Sequence, residues 1–77
     1  MNTNLLAEKL EKWIEKLAEK DFSEFTLAEQ KEMKNDYVEA EKQANGYGTG
    51  AKITLAVKAF SEQVKDMEGF FYETEQA

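Results

Sequence analysis

The stretch Ile53–Met67 reads ITLAVKAFSEQVKDM, and its apolar residues recur at the spacing of an amphipathic helix. They follow one another in steps of four and three residues: Ile53, Val57, Phe60, Val64 and Met67. On a helix that turns by about 100° per residue, these side chains share a band roughly 80° wide. Such a stripe must be buried against another element. The stretch therefore predicts a core helix, and we expect Phe60→Ala at its middle to cost about 3–5 kcal/mol of stability.

The composition favours one small helical domain. The chain has 77 residues, a length that suits a single domain. Hydrophobic residues make up 42% and charged residues 34%, which is typical of a globular chain rather than a disordered one. The sequence has no proline and is rich in alanine, glutamate, lysine and leucine, which favour helix throughout.

We predict a single all-α domain over residues 1–77, either a three-helix bundle or a helical hairpin with a third helix. The connections between the helices are expected to be antiparallel, because they are short. The predicted helices cover about residues 4–20, 27–45 and 51–68, and an aromatic and acidic tail covers residues 70–77.

Local signals place the ends of these helices. Thr26 and Glu29 have the spacing of a capping box, which starts the second helix. Gly46 follows Asn45 and is expected to end that helix in the left-handed conformation. Thr49 is the predicted N-cap of the third helix. In the first helix, Glu8 and Lys12 are spaced for an i,i+4 ion pair.

Charge and residue types exclude several functions. Sixteen acidic residues against ten lysines give a net charge of −6, which argues against direct binding of nucleic acid. Histidine and cysteine are absent, so thiol and imidazole catalysis and the usual zinc ligands are excluded. We therefore expect no enzyme, no cofactor and no metal site.

Nothing in the sequence predicts a membrane segment. The N-terminal residues do not show a basic stretch followed by an apolar run, and no apolar run approaches the roughly 20 residues that span a bilayer. The chain is expected to be a soluble cytoplasmic protein, a setting that its lack of cysteine also fits.

The best functional hypothesis is a small acidic protein that acts through protein–protein contacts. It would be an accessory subunit or an inhibitor of a larger partner, and it is expected to form a homo-oligomer that covers spare apolar surface. The candidate interface residues are exposed leucine and aromatic side chains outside the main stripes: Tyr47, Leu55, Phe70, Phe71 and Tyr72. For the C-terminal aromatics, covering an open end of the bundle is the alternative.

Two other functions stay open. The segment GYGTGAK offers glycines and a lysine before a helix, and an oligomer could bind a small anionic ligand or nucleotide at the Gly46–Lys52 turn. The site would use Gly48, Thr49, Gly50 and Lys52, although the P-loop pattern is absent and a plain interhelical turn explains the glycines as well. The second alternative is an acidic inhibitor that mimics nucleic acid.

Overall fold

The computed structural model describes residues 3–67 and residue 70, and helices dominate this part of the chain. Three α-helices follow one another: α1 (Thr3–Leu17), α2 (Leu27–Ala44) and α3 (Lys52–Val64). A short 3₁₀ turn, Phe22–Glu24, lies between α1 and α2. Each helix contacts both others, and no strand occurs in the described part. The predicted all-α fold is confirmed, in the form of a bundle.

The helices begin and end close to the predicted positions, but α1 and α3 are shorter than expected. α1 ends at Leu17, and residues 18–20 continue as a turn in which the Glu19 N–H donates to the carbonyl of Lys16 (3.0 Å). The alternating glutamates and lysines continue past Leu17, so the sequence predicted a longer helix. The chain instead turns after Leu17, which brings Phe22 into the core. α3 ends at Val64 and passes into a turn at residues 65–67.

Specific contacts define the topology of the bundle. The Trp13 indole N–H of α1 donates to Asp36 Oδ2 of α2 (2.9 Å), and the Tyr37 ring of α2 stacks on Phe60 of α3 at 5.4 Å between centroids. Lys52 Nζ at the start of α3 lies 3.7 Å from Glu8 near the start of α1.

α1 and α3 therefore start at the same end of the bundle, with α2 running the opposite way. We call this the glycine-turn end: the first turns of α1 and α3 and the connection at residues 45–51. The other is the aromatic end: the connection at residues 18–26, Met67 and Phe70.

The core contains side chains from all three helices and from the first connection. Its buried residues are Leu6, Ala7, Leu10, Trp13, Leu17, Phe22, Phe25, Met33, Tyr37, Ala40, Ile53, Ala56, Phe60, Val64 and Phe70. The predicted α3 stripe is part of it, with Val57 and Met67 half-buried at the edge. Phe60 is fully buried, as its predicted role requires.

The connection at residues 18–26 is part of the core rather than a plain break between helices. Phe22 and Phe25 are buried, and Phe25 packs edge-on against Trp13 with centroids 6.3 Å apart. The Gln30 side-chain amide donates to the carbonyls of Phe22 (3.1 Å) and Phe25 (3.0 Å). These bonds satisfy backbone acceptors that a helix or sheet would otherwise satisfy.

Two capping boxes hold the same connection. The predicted one is confirmed: Glu29 N–H donates to Thr26 Oγ1 (3.1 Å), and Thr26 N–H donates to Glu29 Oε1 (3.1 Å). Asp21 and Glu24 form a second one around the 3₁₀ turn. The hydrogen bond from the Thr26 backbone lowers the pKa of the Glu29 carboxyl below 4.5.

Phe70 belongs to the core of the aromatic end, which corrects its assignment to an exposed interface. Its ring meets Phe22 edge-on at 5.2 Å and lies 5.6 Å from Phe60 and 5.7 Å from Tyr37. Three aromatic neighbours remove this side chain from water, so it closes the end of the bundle. Phe71 and Tyr72, the other two aromatics of the tail, lie outside the described residues.

Candidate functional site: the glycine-turn end

Exposed large hydrophobic side chains are concentrated at the glycine-turn end. In the described part of the chain there are four, with exposed fractions of 53% for Leu5, 75% for Leu27, 52% for Tyr47 and 54% for Leu55. Leu5 and Leu55 lie in the first turns of α1 and α3, and Tyr47 lies between α2 and α3. Leu27 starts α2 at the opposite end. The exposure expected for Tyr47 and Leu55 is thus confirmed, and Leu5 joins them at this end.

The turn at residues 45–51 is held by local backbone bonds. Tyr47 N–H donates to the carbonyl of Ala44 (3.0 Å), and Ala51 N–H donates to the carbonyl of Gly48 (3.1 Å). Residues 45–50 are all exposed, and Ala51 is half-buried against the core. The turn therefore leaves about half of the Tyr47 surface exposed to solvent.

The glycines of this turn are not required by the folded chain. The prediction that Gly46 is left-handed was wrong, because neither it nor Gly48 or Gly50 has φ in the left-handed range. Asn45 stays right-handed, so the chain leaves α2 without the usual αL residue. A Cβ atom at Gly48 or Gly50 would meet no atom within 4 Å. These glycines leave open space next to an exposed tyrosine.

The predicted N-cap of α3 was also wrong. The N-cap position is Ala51, with φ −67° and ψ 148°, and no side chain bonds to the first turn from there. The turn closed by Ala51 and Gly48 places Thr49 two residues too early to cap the helix. α3 therefore begins without the side-chain cap that α2 receives from Thr26.

Lys52 lies at this end but faces α1. Its ammonium is 3.7 Å from Glu8 Oε2, with each side chain about half exposed (47% and 54%). Glu8 thus pairs with α3 instead of forming the expected ion pair with Lys12. Of the proposed ligand-binding residues, Gly48, Thr49 and Gly50 are exposed together, while the charge of Lys52 is shared with a carboxylate. An anion at this turn would compete with Glu8.

Tyr37 lies in the core, and its hydroxyl group reaches Glu41 on the same helix. The hydroxyl donates to Glu41 Oε2 at 3.3 Å. Burial raises the pKa of Tyr37 above 10.0, and the charge and hydrogen bond of Glu41 raise it further. The Tyr37 side chain therefore contributes to the core of the bundle.

Asp36 is a buried residue that the sequence reading missed. It is 6% exposed, and its carboxylate accepts the Trp13 indole hydrogen bond. The residues next to Asp36 in the sequence give no signal that it is buried, because its hydrogen-bond partner Trp13 lies 23 positions away. The pair joins α1 to α2.

Two surface cavities are lined by described residues alone. One of about 210 Å³ lies at the aromatic end, lined by Asp21, Phe22, Ser23, Asp66 and Met67. The other, of about 160 Å³, is lined by Lys9, Lys12, Trp13, Lys16 and Glu32. No group of three or more acidic, histidine or cysteine residues in residues 3–67 and 70 is arranged to hold a metal ion.

Comparison with known proteins gives no relative from which a role could be transferred. No protein-family model matches the chain, no curated protein matches it, and no solved structure matches it. Within the part of the chain described, no helix combines the length and apolar character that crossing a bilayer requires.

Proposed function

We propose that the protein acts through protein–protein contacts made by its glycine-turn end, as an accessory subunit or an inhibitor of a larger partner. The observation that supports this most is the gathering of Leu5, Tyr47 and Leu55 at one end. Single exposed apolar residues are ordinary on protein surfaces. Three at one end, one of them an aromatic of the type enriched in interfaces, favour a contact surface.

The glycines beside Tyr47 support the same proposal. Glycine in a turn is commonly explained by a left-handed φ or by lack of room for a side chain. Neither applies to Gly48 and Gly50. Without side chains, this backbone can come close to another molecule.

Self-association is the simplest way to cover this surface, so the proposal includes a homodimer or higher oligomer. The exposed leucines and Tyr47 of one copy would pack against those of another, as an isologous interface requires. The proposal also includes a cytoplasmic setting, for which the support is compositional: the chain has no cysteine that could form a disulfide.

The paired test uses two exposed leucines at opposite ends. Leu55→Glu places a charge in the proposed contact surface, and Leu27→Glu places the same charge on the other end at a more exposed site. We expect sedimentation velocity to show a self-association that Leu55→Glu weakens and Leu27→Glu leaves unchanged. A wild-type monomer at high micromolar concentration would contradict the homo-oligomer.

The partner test is co-purification of the tagged protein from its native host, followed by mass spectrometry. We expect a stoichiometric protein that is retained by Leu27→Glu and lost with Leu55→Glu. Loss with both variants, or with neither, would contradict a contact at the glycine-turn end.

An acidic mimic of nucleic acid is the second candidate, and the surface of α1 favours it. Four glutamates of α1 and of the turn that follows it are exposed and lie on one side: Glu8, Glu11, Glu15 and Glu19. One carboxylate per turn could occupy a positive channel on a partner. Partner binding that weakens strongly with salt would support mimicry, and binding that is independent of salt would oppose it.

The third candidate, an oligomer that binds a small anion or nucleotide at the Gly46–Lys52 turn, depends on Lys52. Its support is the open space at Gly48 and Gly50, and the ion pair with Glu8 opposes it. Lys52→Ala discriminates: anion binding that survives this substitution would leave the turn without a role as a ligand site.

A further inference from the structure

The charges of α1 are separated into two faces. Lys9, Lys12 and Lys16 follow steps of three and four residues, so they lie on one side of the helix. The three glutamates of α1, Glu8, Glu11 and Glu15, lie on another side, where Glu8 pairs with Lys52. The sequence predicted an i,i+4 ion pair between Glu8 and Lys12 across these two sides. The structure instead leaves the lysine side without that pairing.

The lysine side forms the wall of a cavity against α2. The cavity of about 160 Å³ is lined by Lys9, Lys12, Trp13, Lys16 and Glu32, and we call it the lysine cavity. Among residues 3–67 and 70, no carboxylate oxygen lies within 4.0 Å of the three ammonium groups. Three cations thus line one cavity with one carboxylate, and Lys16 also interacts electrostatically with Glu29 outside the lining, in a protein whose net charge is −6.

Trp13, which lines the lysine cavity, is held in place by contacts in the core. The Trp13 indole is held by its hydrogen bond to the buried Asp36 carboxylate. The Lys16 ammonium lies over the Trp13 ring at 4.9 Å from the centroid, a cation–π contact that keeps its charge at the cavity. Lys9 is half-buried, and Lys12 and Lys16 are exposed. The charge of Lys16 is therefore placed at the cavity before any ligand binds.

We propose that the lysine cavity binds a small organic phosphate that also carries a hydroxyl group. Along the helix axis the three lysines are offset by about 4.5 and 6 Å, so their ammonium groups can surround one phosphate or a short chain of phosphates. Ammonium groups bind phosphate as point charges and donate up to three hydrogen bonds each. The volume is below the usual range for drug-sized ligands, which indicates a small molecule rather than a polymer.

Glu32 determines which phosphate compounds fit. A carboxylate at the rim repels a bare anion but accepts a hydrogen bond from a hydroxyl group. A sugar phosphate or a nucleotide offers both groups, with the phosphate toward the lysines and a hydroxyl toward Glu32. This site lies between α1 and α2 and does not depend on the contact proposed for the glycine-turn end.

Binding can be followed by the fluorescence of Trp13, because it is the one tryptophan of the chain and lines the cavity. Titration of the full chain with ribose 5-phosphate at low salt is expected to change its fluorescence in a saturable way. Replacing Lys12 by Gln is expected to weaken the binding about three- to tenfold, the size of one solvent-exposed charge contact. Higher salt is expected to weaken it as well.

Two triple variants with the same charge change separate a site from general attraction. K9Q/K12Q/K16Q removes the cavity lysines, and K31Q/K42Q/K58Q removes exposed lysines elsewhere. Glutamine keeps helix propensity, and far-UV circular dichroism checks the fold. We expect the first triple to abolish the saturable change and the second to retain it. Equal losses in both, or no saturable change at 20 mM ligand (roughly the upper limit of weak binding), would overturn the proposal.

Pyrophosphate and ribose 5-phosphate distinguish the role of Glu32. Glu32→Gln removes the repulsion and is expected to strengthen the binding of pyrophosphate about two- to fivefold. The same change weakens the acceptor for the sugar hydroxyl, so ribose 5-phosphate is expected to gain less or to bind more weakly. Equal gains for both ligands would overturn the assignment of an organic phosphate.

Discussion

The two connections between helices differ in how firmly side chains hold them. At the aromatic end, residues 18–26 are held by two capping boxes, by the Gln30 amide and by buried phenylalanine rings. At the glycine-turn end, residues 45–51 have local backbone bonds and an exposed tyrosine. Both connections reverse the chain. The difference indicates that side chains of the aromatic end contribute more to the stability of the fold, and it is consistent with the contact proposed for the glycine-turn end.

The largest expected effect concerns the aromatic rings of the two connections. Phe22→Ala is expected to cost about 3–5 kcal/mol, because it opens a cavity beneath Phe70 and the core. Tyr47→Ala removes an exposed ring and is expected to change stability by less than about 0.5 kcal/mol. Chemical denaturation of both variants checks this. Similar losses at the two positions would contradict the difference between the ends.

A smaller effect is expected for the amide that holds the first connection. Gln30→Ala leaves the carbonyls of Phe22 and Phe25 without their donor and is expected to cost about 1–2 kcal/mol. Gln43→Ala, at a half-buried position near the glycine turn, is the matched control. Denaturation midpoints compare the two. A Gln43 effect as large as that of Gln30 would show that the second connection is held by side chains too.

The two threonines that precede helices give a third comparison. Thr26→Ala removes the N-cap of α2 and is expected to cost about 1 kcal/mol, whereas Thr49→Ala is expected to be neutral because Thr49 does not cap α3. Conversely, Ala51→Ser supplies an oxygen at the true N-cap and is expected to stabilise by about 0.5 kcal/mol. Thermal unfolding measures all three. A loss of stability in Thr49→Ala equal to that in Thr26→Ala would show that Thr49 caps α3 after all.

The smallest expected effect is a dependence of stability on alkaline pH. The pKa of Tyr37 is raised by burial and by Glu41, so the folded chain holds the phenolic proton more tightly than the unfolded chain. The resulting contribution to the free energy of unfolding is complete below about pH 10, the pKa of tyrosine in the unfolded chain. It is lost as the pH rises through the pKa of Tyr37 in the folded chain. Between about pH 9 and 11, the free energy of unfolding is expected to fall less steeply with pH in Tyr37→Phe than in the wild type. Tyr47→Phe, in which the ring is exposed, is expected to keep the wild-type slope.

The sequence predicts the regular parts of the fold because they depend on local periodicity. The α3 stripe places Ile53, Phe60 and Val64 in the core, and the Thr26–Glu29 spacing places the start of α2. Both signals lie within one element. The third helix was nevertheless extended too far, because Met67 continues the apolar spacing although the chain turns at residues 65–67.

The connections were less predictable because their structure depends on distant partners. Phe22 and Phe25 break the helical period, and their burial depends on Trp13 and Phe70, which are far away in sequence. The Asp21–Glu24 spacing matches a capping box and was the local signal available for the 3₁₀ turn. At the other connection, Asn45-Gly46 suggested a left-handed Gly46, whereas the φ of Gly46 lies outside the left-handed range.

The candidate site was partly predictable. Tyr47 and Leu55 were recognised because neither belongs to a core stripe, and both are exposed. Their position at one end with Leu5 required the topology of the bundle. The lysine cavity was not predicted, because the sequence shows alternating charges and does not show that Glu8 pairs across to Lys52.

Amide hydrogen exchange at low and high protein concentration tests the central difference most directly. Opening residues 18–26 exposes Phe22 and Phe25, so the Glu24 and Phe25 amides are expected to exchange slowly, near the rate of global unfolding, at both concentrations. The Tyr47 and Ala51 amides are expected to exchange fast in the dilute protein and to become protected on association. Slow exchange of the glycine turn in the dilute protein, or protection on association confined to residues 18–26, would contradict the account.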